Sequence, residues 1–261
     1  MFQRPRLVAG MFNRFARTAR LSAQSFIDSS GRAVRMNDRL RPLQLQVWGD
    51  AACFTRPEHK VERVSYSMMT PSAARGVLEA VFWRRAFRWR VESIAVLKDI
   101  SYFSIVRNEV TERANARTAR GWAEKGGGFF ADSDKHRSQR HTLALRDVAY
   151  RITASIELRP GAEDDVAKYR DQFRRRVSAG RCFSVPYLGC REFAASFSDP
   201  DTTPPIDRTE DLGAMLHDLE YDADGSGRGK PRLFAARMDA GVLHVPSWDV
   251  EEVRHATPTP S

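Results

Sequence analysis

The sequence predicts an α+β fold of the ferredoxin-like class, extended by a basic loop or hairpin insertion and a small C-terminal β element. Three observations predict it. Apolar and polar residues alternate at 43–47, 87–96 and 147–158. Helical stripes occupy 71–84 and 163–179 between those runs. With a further run at 192–197, the order becomes strand, helix, strand, strand, helix, strand, the split β-α-β arrangement.

Residues 1–40 carry eight arginines against Asp28 and Asp38 and show only weak periodicity. They read as a basic, disordered extension with one short helix around 11–19. Their composition also resembles an organelle targeting segment, and an arm touching nucleic acid is a further reading.

Order begins near Arg41. Leu43, Leu45 and Val47 alternate with Gln44 and Gln46, as in a half-buried strand. Residues 64–83 then run from a strand directly into a helix. Thr70 is a good N-cap, because its hydroxyl can accept from an orphaned backbone N–H. Pro71 fits the first helical position, where its missing N–H costs nothing. Ala74, Val77, Leu78 and Val81 form one stripe at helical spacing, and Arg75 and Glu79 fall off it.

Phe87, Trp89 and Val91, then Ile94 and Val96, alternate with Arg88, Arg90 and Glu92 in a second strand. Residues 111–146 break the pattern. They hold Gly126-Gly127-Gly128, seven arginines or lysines before Arg146, and His136 and His141, a mobile basic loop or hairpin. Residues 147–158 alternate most strictly: Val148, Tyr150, Ile152, Ala154, Ile156 and Leu158 share one face. Pro160-Gly161 turns the chain into a helix over 163–179. Val166, Arg170, Phe173 and Val177 line its inner face, Lys168, Gln172 and Arg175 its outer face, and Gly180 ends it. Asp224-Gly225 and Ala240-Gly241 mark turns in a β-rich C-terminal element. The domain reading is therefore an extension at 1–40, a ferredoxin-like domain at 41–200 and a β-rich element at 201–261.

The chain has 261 residues, 42% of them hydrophobic, enough for one large domain or two small ones. No apolar run is long enough to cross a bilayer, so no membrane partner is expected. Cys53, Cys182 and Cys190 form no Cys-x-x-Cys pair, which argues against a disulfide framework or zinc site and fits a reducing cytoplasm. The net charge of +9 is uneven. Residues 199–224 hold nine acids against Arg208 alone, and residues 41–198 carry about +10. A basic body fits a polyanionic partner. The competing reading is that the arginine-rich composition reflects a GC-rich genome.

No phosphate-binding glycine loop, His-Glu-x-x-His or Gly-x-Ser-x-Gly motif occurs, and no cofactor is expected. No acid cluster suggests a two-metal site; the acidic stretch 210–224 reads as solvated surface. What remains are basic residues, tyrosines and histidines near a sheet. Such groups suit metal-free RNA cleavage, in which the ribose 2′-hydroxyl attacks the adjacent phosphate and a cation holds the developing charge. Lys168 is a candidate for that cation, or an ordinary surface lysine. Tyr169 borders the apolar stripe, where packing is the alternative. Arg75, Arg107, Asn108, Arg140, His141 and Arg175 are candidate RNA contacts, or surface residues.

Six segments in order resemble the CRISPR-associated Cas-five family of subtype I-C, the Dvulg type. They are Val47-Trp48-Gly49-Asp50 with Cys53-Phe54-Thr55-Arg56-Pro57; residues 61–83; Ser104-Ile105-Val106-Arg107-Asn108-Glu109-Val110; residues 139–150; Pro186-Tyr187-Leu188-Gly189-Cys190-Arg191-Glu192-Phe193; and Asp211-Leu212-Gly213-Ala214-Met215-Leu216-His217. The resemblance spans roughly residues 41–245. It implies a ferredoxin-like domain, binding of CRISPR repeat RNA and metal-independent cutting of precursor CRISPR RNA. It further implies retention of the guide RNA 5′ handle beside the other subunits of the type I-C interference complex. Family members use a tyrosine on the first helix and a Lys-His pair on the second. Here Lys168 matches, Tyr169 stands at the histidine position and Phe82 at the tyrosine position. Phe82 has no proton to exchange, and a phenol is a poor base at neutral pH. A non-catalytic scaffold subunit is accordingly the alternative.

Overall fold

The computed structural model describes residues 25–27, 33–35, 41–59, 61–111, 115–128, 136–222, 227, 229–250 and 253–255. Among these the elements are, in chain order, β1 (Ser25–Ile27), β2 (Ala33–Arg35), β3 (Leu43–Ala52), β4 (Arg63–Val64), α1 (Pro71–Val81), β5 (Phe87–Val96), β6 (Ser101–Val110), α2 (Ala116–Lys125), β7 (Arg137–Leu158), α3 (Val166–Ser178), β8 (Ser196–Ser198), β9 (Glu210–Tyr221), β10 (Gly229–Asp239), β11 (Val242–His244) and β12 (Arg254–His255).

The chain divides into two units, Met1–Arg41 and Pro42–Ser261. In the first, β1 and β2 pair antiparallel, with Ser25 opposite Arg35. The helix expected around 11–19 lies outside the described residues.

The second unit is organised around β7. Its second half is the strictly alternating run read from the sequence, and Val148, Tyr150, Ile152, Ala154 and Ile156 are buried as that alternation requires. This half pairs antiparallel with β3 on one side, Leu43 opposite Ala154, and with β5 on the other, Phe87 opposite Leu158. β8 adds to the far edge of β3, antiparallel, with Val47 opposite Phe197. The local order is thus β8-β3-β7-β5.

Asp147 adopts a positive φ of 48°, and pairing changes there. The first half of β7 runs antiparallel to β6, from Ser101 opposite Arg146 to Val110 opposite Arg137, and takes the short parallel β4 along its other edge. The basic segment expected as a loop or hairpin over 111–146 is therefore a strand hairpin rooted at Ser101, with α2 between its strands.

α1 and α3 bury their apolar stripes in one core with the sheet. Ala74, Val77, Leu78 and Val81 join Phe173 and Val177 there. Thr70 caps α1 by accepting from Ala73 N at 3.3 Å. α2 buries none of its residues.

The C-terminal strands extend the same sheet. β11 pairs with β5, β10 with β11, and β9 and β12 both pair with β10. The Ala240-Gly241 turn falls between β10 and β11. A Cβ on Gly241 would lie 2.2 Å from Ile206 O, so the turn admits only glycine there. The Asp224-Gly225 turn lies outside the described residues. Among the described residues this second unit is a ten-stranded, predominantly antiparallel sheet with three helices. No helix among the described residues is long and apolar enough to cross a membrane.

Candidate active site

A helix ends with backbone carbonyls that lack intrahelical partners. At the end of α1, distant parts of the chain satisfy them. Phe82 N closes on Leu78 O at 2.8 Å, and Ala80 O accepts from Phe183 N at 2.7 Å and Ser184 N at 3.1 Å. Val81 O accepts from Arg176 Nη1 at 3.0 Å, and Phe82 O from Trp89 Nε1 at 2.9 Å. The side chain of Phe82 is wholly buried. Its ring centroid lies 5.4 Å from Phe87 and 6.5 Å from Tyr169. The Arg84 and Arg176 guanidinium carbons stand 5.1 and 5.7 Å from the Phe82 ring centroid.

The start of α3 meets this aromatic cluster. Asp165 is the N-cap and accepts from Ala167 N at 3.1 Å. The preceding carboxylate, Asp164, bridges the two candidate catalytic residues. Its Oδ1 accepts from Lys168 Nζ at 2.7 Å and its Oδ2 from the Tyr169 hydroxyl at 3.1 Å.

This arrangement sets the protonation states. Hydrogen bonding and charge from Asp164 raise the Lys168 ammonium above its ordinary range, so it remains a cation. The Lys168 bond in turn holds Asp164 below the usual carboxylate range. Burial, then donation to the carboxylate, raises the Tyr169 phenol above its ordinary value. Hence the site has an exposed cation beside a firmly protonated phenol. Lys168 is on the outer face as expected, with its side chain 63% exposed. Tyr169, expected at the border of the stripe, is only 6% exposed.

The candidate RNA contacts divide into several groups. Arg75 lies on α1 and bonds Asp218 of β9, with Nε–Oδ2 2.6 Å and Nη2–Oδ1 2.9 Å, and Glu79 at 2.8 Å. Its charge is compensated inside the protein, and a phosphate would have to displace Asp218. Arg107 lies on β6, where Nη1 pairs with Glu192 and Nη2 donates to Thr142 Oγ1 at 3.3 Å. Asn108, opposite Gln139, and His141, opposite Val106, are exposed on the β6–β7 hairpin; Arg140, opposite Arg107, is half-buried there. These residues sit toward the opposite end of β7 from the turn that leads into α3. Arg175 is exposed on α3. Lys168, Tyr169 and Arg175 therefore share one element, and the hairpin residues form a second group.

Asp164 was not among the residues singled out from the sequence, although its i, i+4 spacing to Lys168 is a readable signal. Arg84 and Arg176 gave no local signal. Among the described residues, no group of three or more His, Cys, Asp or Glu side chains could hold a metal ion.

Comparison with known proteins extends the picture. The family described as CRISPR-associated protein (Cas_Cas5) matches residues 42–246. A Thermus thermophilus protein named CRISPR pre-crRNA endoribonuclease Cas5d is 44% identical over 227 residues, 81% of this chain and 94% of its own. A Mannheimia succiniciproducens protein of the same name is 38% identical over 224 residues, 81% of this chain and 98% of its own. The crystal structure of a CRISPR-associated protein superposes with a TM-score of 0.58 at 21% identity, covering 82% of this chain and 96% of that one. That of a functionally uncharacterized Streptococcus mutans protein gives 0.57 at 20%, covering 82% and 97%. These two share the fold. The family match runs from β3 to β11 and takes in the end of α1 and the start of α3; on its breadth and that of the two relatives the chain belongs to the CRISPR-associated Cas5 family.

Proposed function

We infer that the protein is an endoribonuclease that binds CRISPR repeat RNA and cuts precursor CRISPR RNA. It then retains the guide 5′ handle as a subunit of the type I-C interference complex. The observation that carries this reading is the 44% and 38% identity, across more than nine-tenths of each relative, to proteins named pre-crRNA endoribonucleases.

The chemistry follows from the charges at α3. The ribose 2′-oxygen forms a bond to phosphorus and the bond from phosphorus to the 5′-oxygen breaks. The upstream product carries a 2′,3′-cyclic phosphate and the downstream product a 5′-hydroxyl. Lys168 stabilises the charge that gathers on the phosphate oxygens. Tyr169, held protonated beside Asp164, is suited to donate to the departing 5′-oxygen rather than to act as a base. The 2′-hydroxyl proton passes to solvent. Phe82 supports the ring of Tyr169 and takes no part in proton transfer.

Incubating the protein with repeat RNA in the presence of a chelator tests this. The expected result is cleavage without added metal, lost by about 10²–10³ in Lys168→Ala with RNA affinity largely kept. Tight binding without cleavage is the outcome of the scaffold reading, which the buried, hydroxyl-free Phe82 favours.

The finer fold assignment, a ferredoxin-like domain at 41–200, is also ours. The antiparallel order β8-β3-β7-β5 supports it, with α1 linking β3 to β5 and α3 linking β7 to β8. The boundary before the C-terminal strands and the separateness of residues 1–40 belong to the same proposal.

A further inference from the structure

The end of α3 reverses through Gly180, at φ 61°, and the turn is closed by Gly180 N to Val177 O at 2.9 Å and Arg181 N to Arg176 O at 2.8 Å. This paired closure aims the next residues at the end of α1. There the backbone N–H groups of Phe183 and Ser184 bond Ala80 O. The Phe183 backbone is therefore fixed, yet its side chain is turned out, 78% exposed. Trp83, three residues beyond the same carbonyl, is 49% exposed. Its neighbour Phe82 packs on Tyr169. Two large aromatic faces thus stand in solvent on pinned backbone beside the candidate active site.

Their surroundings indicate what covers them. Residues 80–88 and 180–189 contain Arg84, Arg85, Arg88 and Arg181 and no acid. Arg88 is paired with Glu157, whereas Arg84 stands over the Phe82 ring. Aromatic rings interleaved with arginines suit a single-stranded nucleic acid, whose bases stack while its phosphates meet the cations. An apolar protein surface would leave the charges of Arg84, Arg85 and Arg181 unmatched.

We propose that Trp83 and Phe183 are substrate-positioning residues on which unpaired RNA bases flanking the cut phosphate stack. The proposal rests on the endoribonuclease reading, and deepens it by naming the groups that hold the strand across Lys168 and Tyr169.

The test uses the full chain and repeat RNA carrying 2-aminopurine on either side of the cut phosphate. Leucine keeps the bulk and apolarity of these positions but lacks a planar face. In single-turnover cleavage, Phe183→Leu and Trp83→Leu are each expected to raise the half-saturating protein concentration roughly tenfold with the maximal rate within about twofold, and to lose quenching of the adjacent 2-aminopurine. Phe183→Trp is expected to retain both. A structural role would not show this split or this rescue. Unchanged half-saturation and quenching in the leucine variants would overturn the proposal, leave the nuclease reading standing, and assign the patch to a protein partner. Failure of the unmutated protein to bind repeat RNA would overturn the nuclease reading, and this proposal with it.

Discussion

Arg75 gives the sharpest contrast between a sequence reading and a structural one. As an RNA contact, its loss would weaken binding and leave stability alone. The structure places its guanidinium in two-point contact with Asp218 and beside Glu79, its side chain about a quarter exposed and that of Asp218 18% exposed. Asp218 also receives Ser72 Oγ at 3.2 Å and its neighbour Leu219 N at 2.8 Å. Removing one partner of a buried ion pair costs about 3–5 kcal/mol, and exposed pairs about 0–1. At this partial exposure Arg75→Met should cost about 2–3 kcal/mol, because a carboxylate is left facing an apolar side chain. For a folded unit of this size that corresponds to a melting point lower by roughly 4–12 °C. Pairing Arg75→Met with Asp218→Leu removes the stranded charge, and should recover about 1 kcal/mol or more. Thermal melts by circular dichroism measure the stability. RNA affinity, measured well below the melting range, should change less than threefold or so, as for one phosphate contact or none. A melt within about 1 °C of the unmutated protein, together with a tenfold loss of RNA affinity, would refute this reasoning.

Three further outcomes are expected. With the Tyr169 phenol raised by burial and Asp164, and no imidazole at that position, single-turnover cleavage should keep rising from pH 6 to 9. Tyr169→His should introduce a break near its ordinary value of about 6.5, whereas a plateau at pH 7 in the unmutated protein would contradict the assignment. Cys190 accepts from the Cys53 thiol and lies near Arg63 Nη1, 3.6 Å away, which together lower it to about 6. Iodoacetamide at pH 7, followed by peptide mass spectrometry, should therefore label Cys190 faster than the more exposed Cys182, and equal rates would remove the claim. A chain beginning near Asp38 should melt and bind repeat RNA like the full-length protein, and a lowered melting point on truncation would show that residues 1–40 pack on the body.

Legibility in the sequence followed burial. α1 was readable to its first residue, because Thr70-Pro71 and a four-residue stripe are local signals. The second half of β7 was readable because one face is buried along nearly its whole length. α2 was not: it buries no residue, and its apolar side chains are only small alanines and Trp122 among charged neighbours. β6 was missed as a strand because its residues alternate between exposed and half-buried rather than exposed and buried. The 192–197 strand shrank to Ser196–Ser198, with Phe193 taken into a turn closed on Cys190 O at 3.0 Å. At the site, Lys168 was placed correctly by its helical face alone. The depth of Tyr169 depends on Phe82 and Phe87, over eighty residues away in the chain, and Arg75 pairs with a residue 143 positions later. Contacts at that separation have no periodicity to announce them.

The closure of the α1 terminus has a consequence for biosynthesis. Its carbonyls wait for Trp89, for Arg176 and for the backbone of Phe183 and Ser184. A chain emerging from the ribosome can form α1 early, but about a hundred more residues must appear before the helix end is satisfied. Pairings this distant in sequence form slowly, and folding of the early segment cannot by itself complete them. The basic strand hairpin, built from 101–110 and 137–146, is by contrast finished well before. A nascent chain can thus present its finished basic arm while the α1 terminus, and with it the surroundings of Lys168 and Tyr169, is still unassembled.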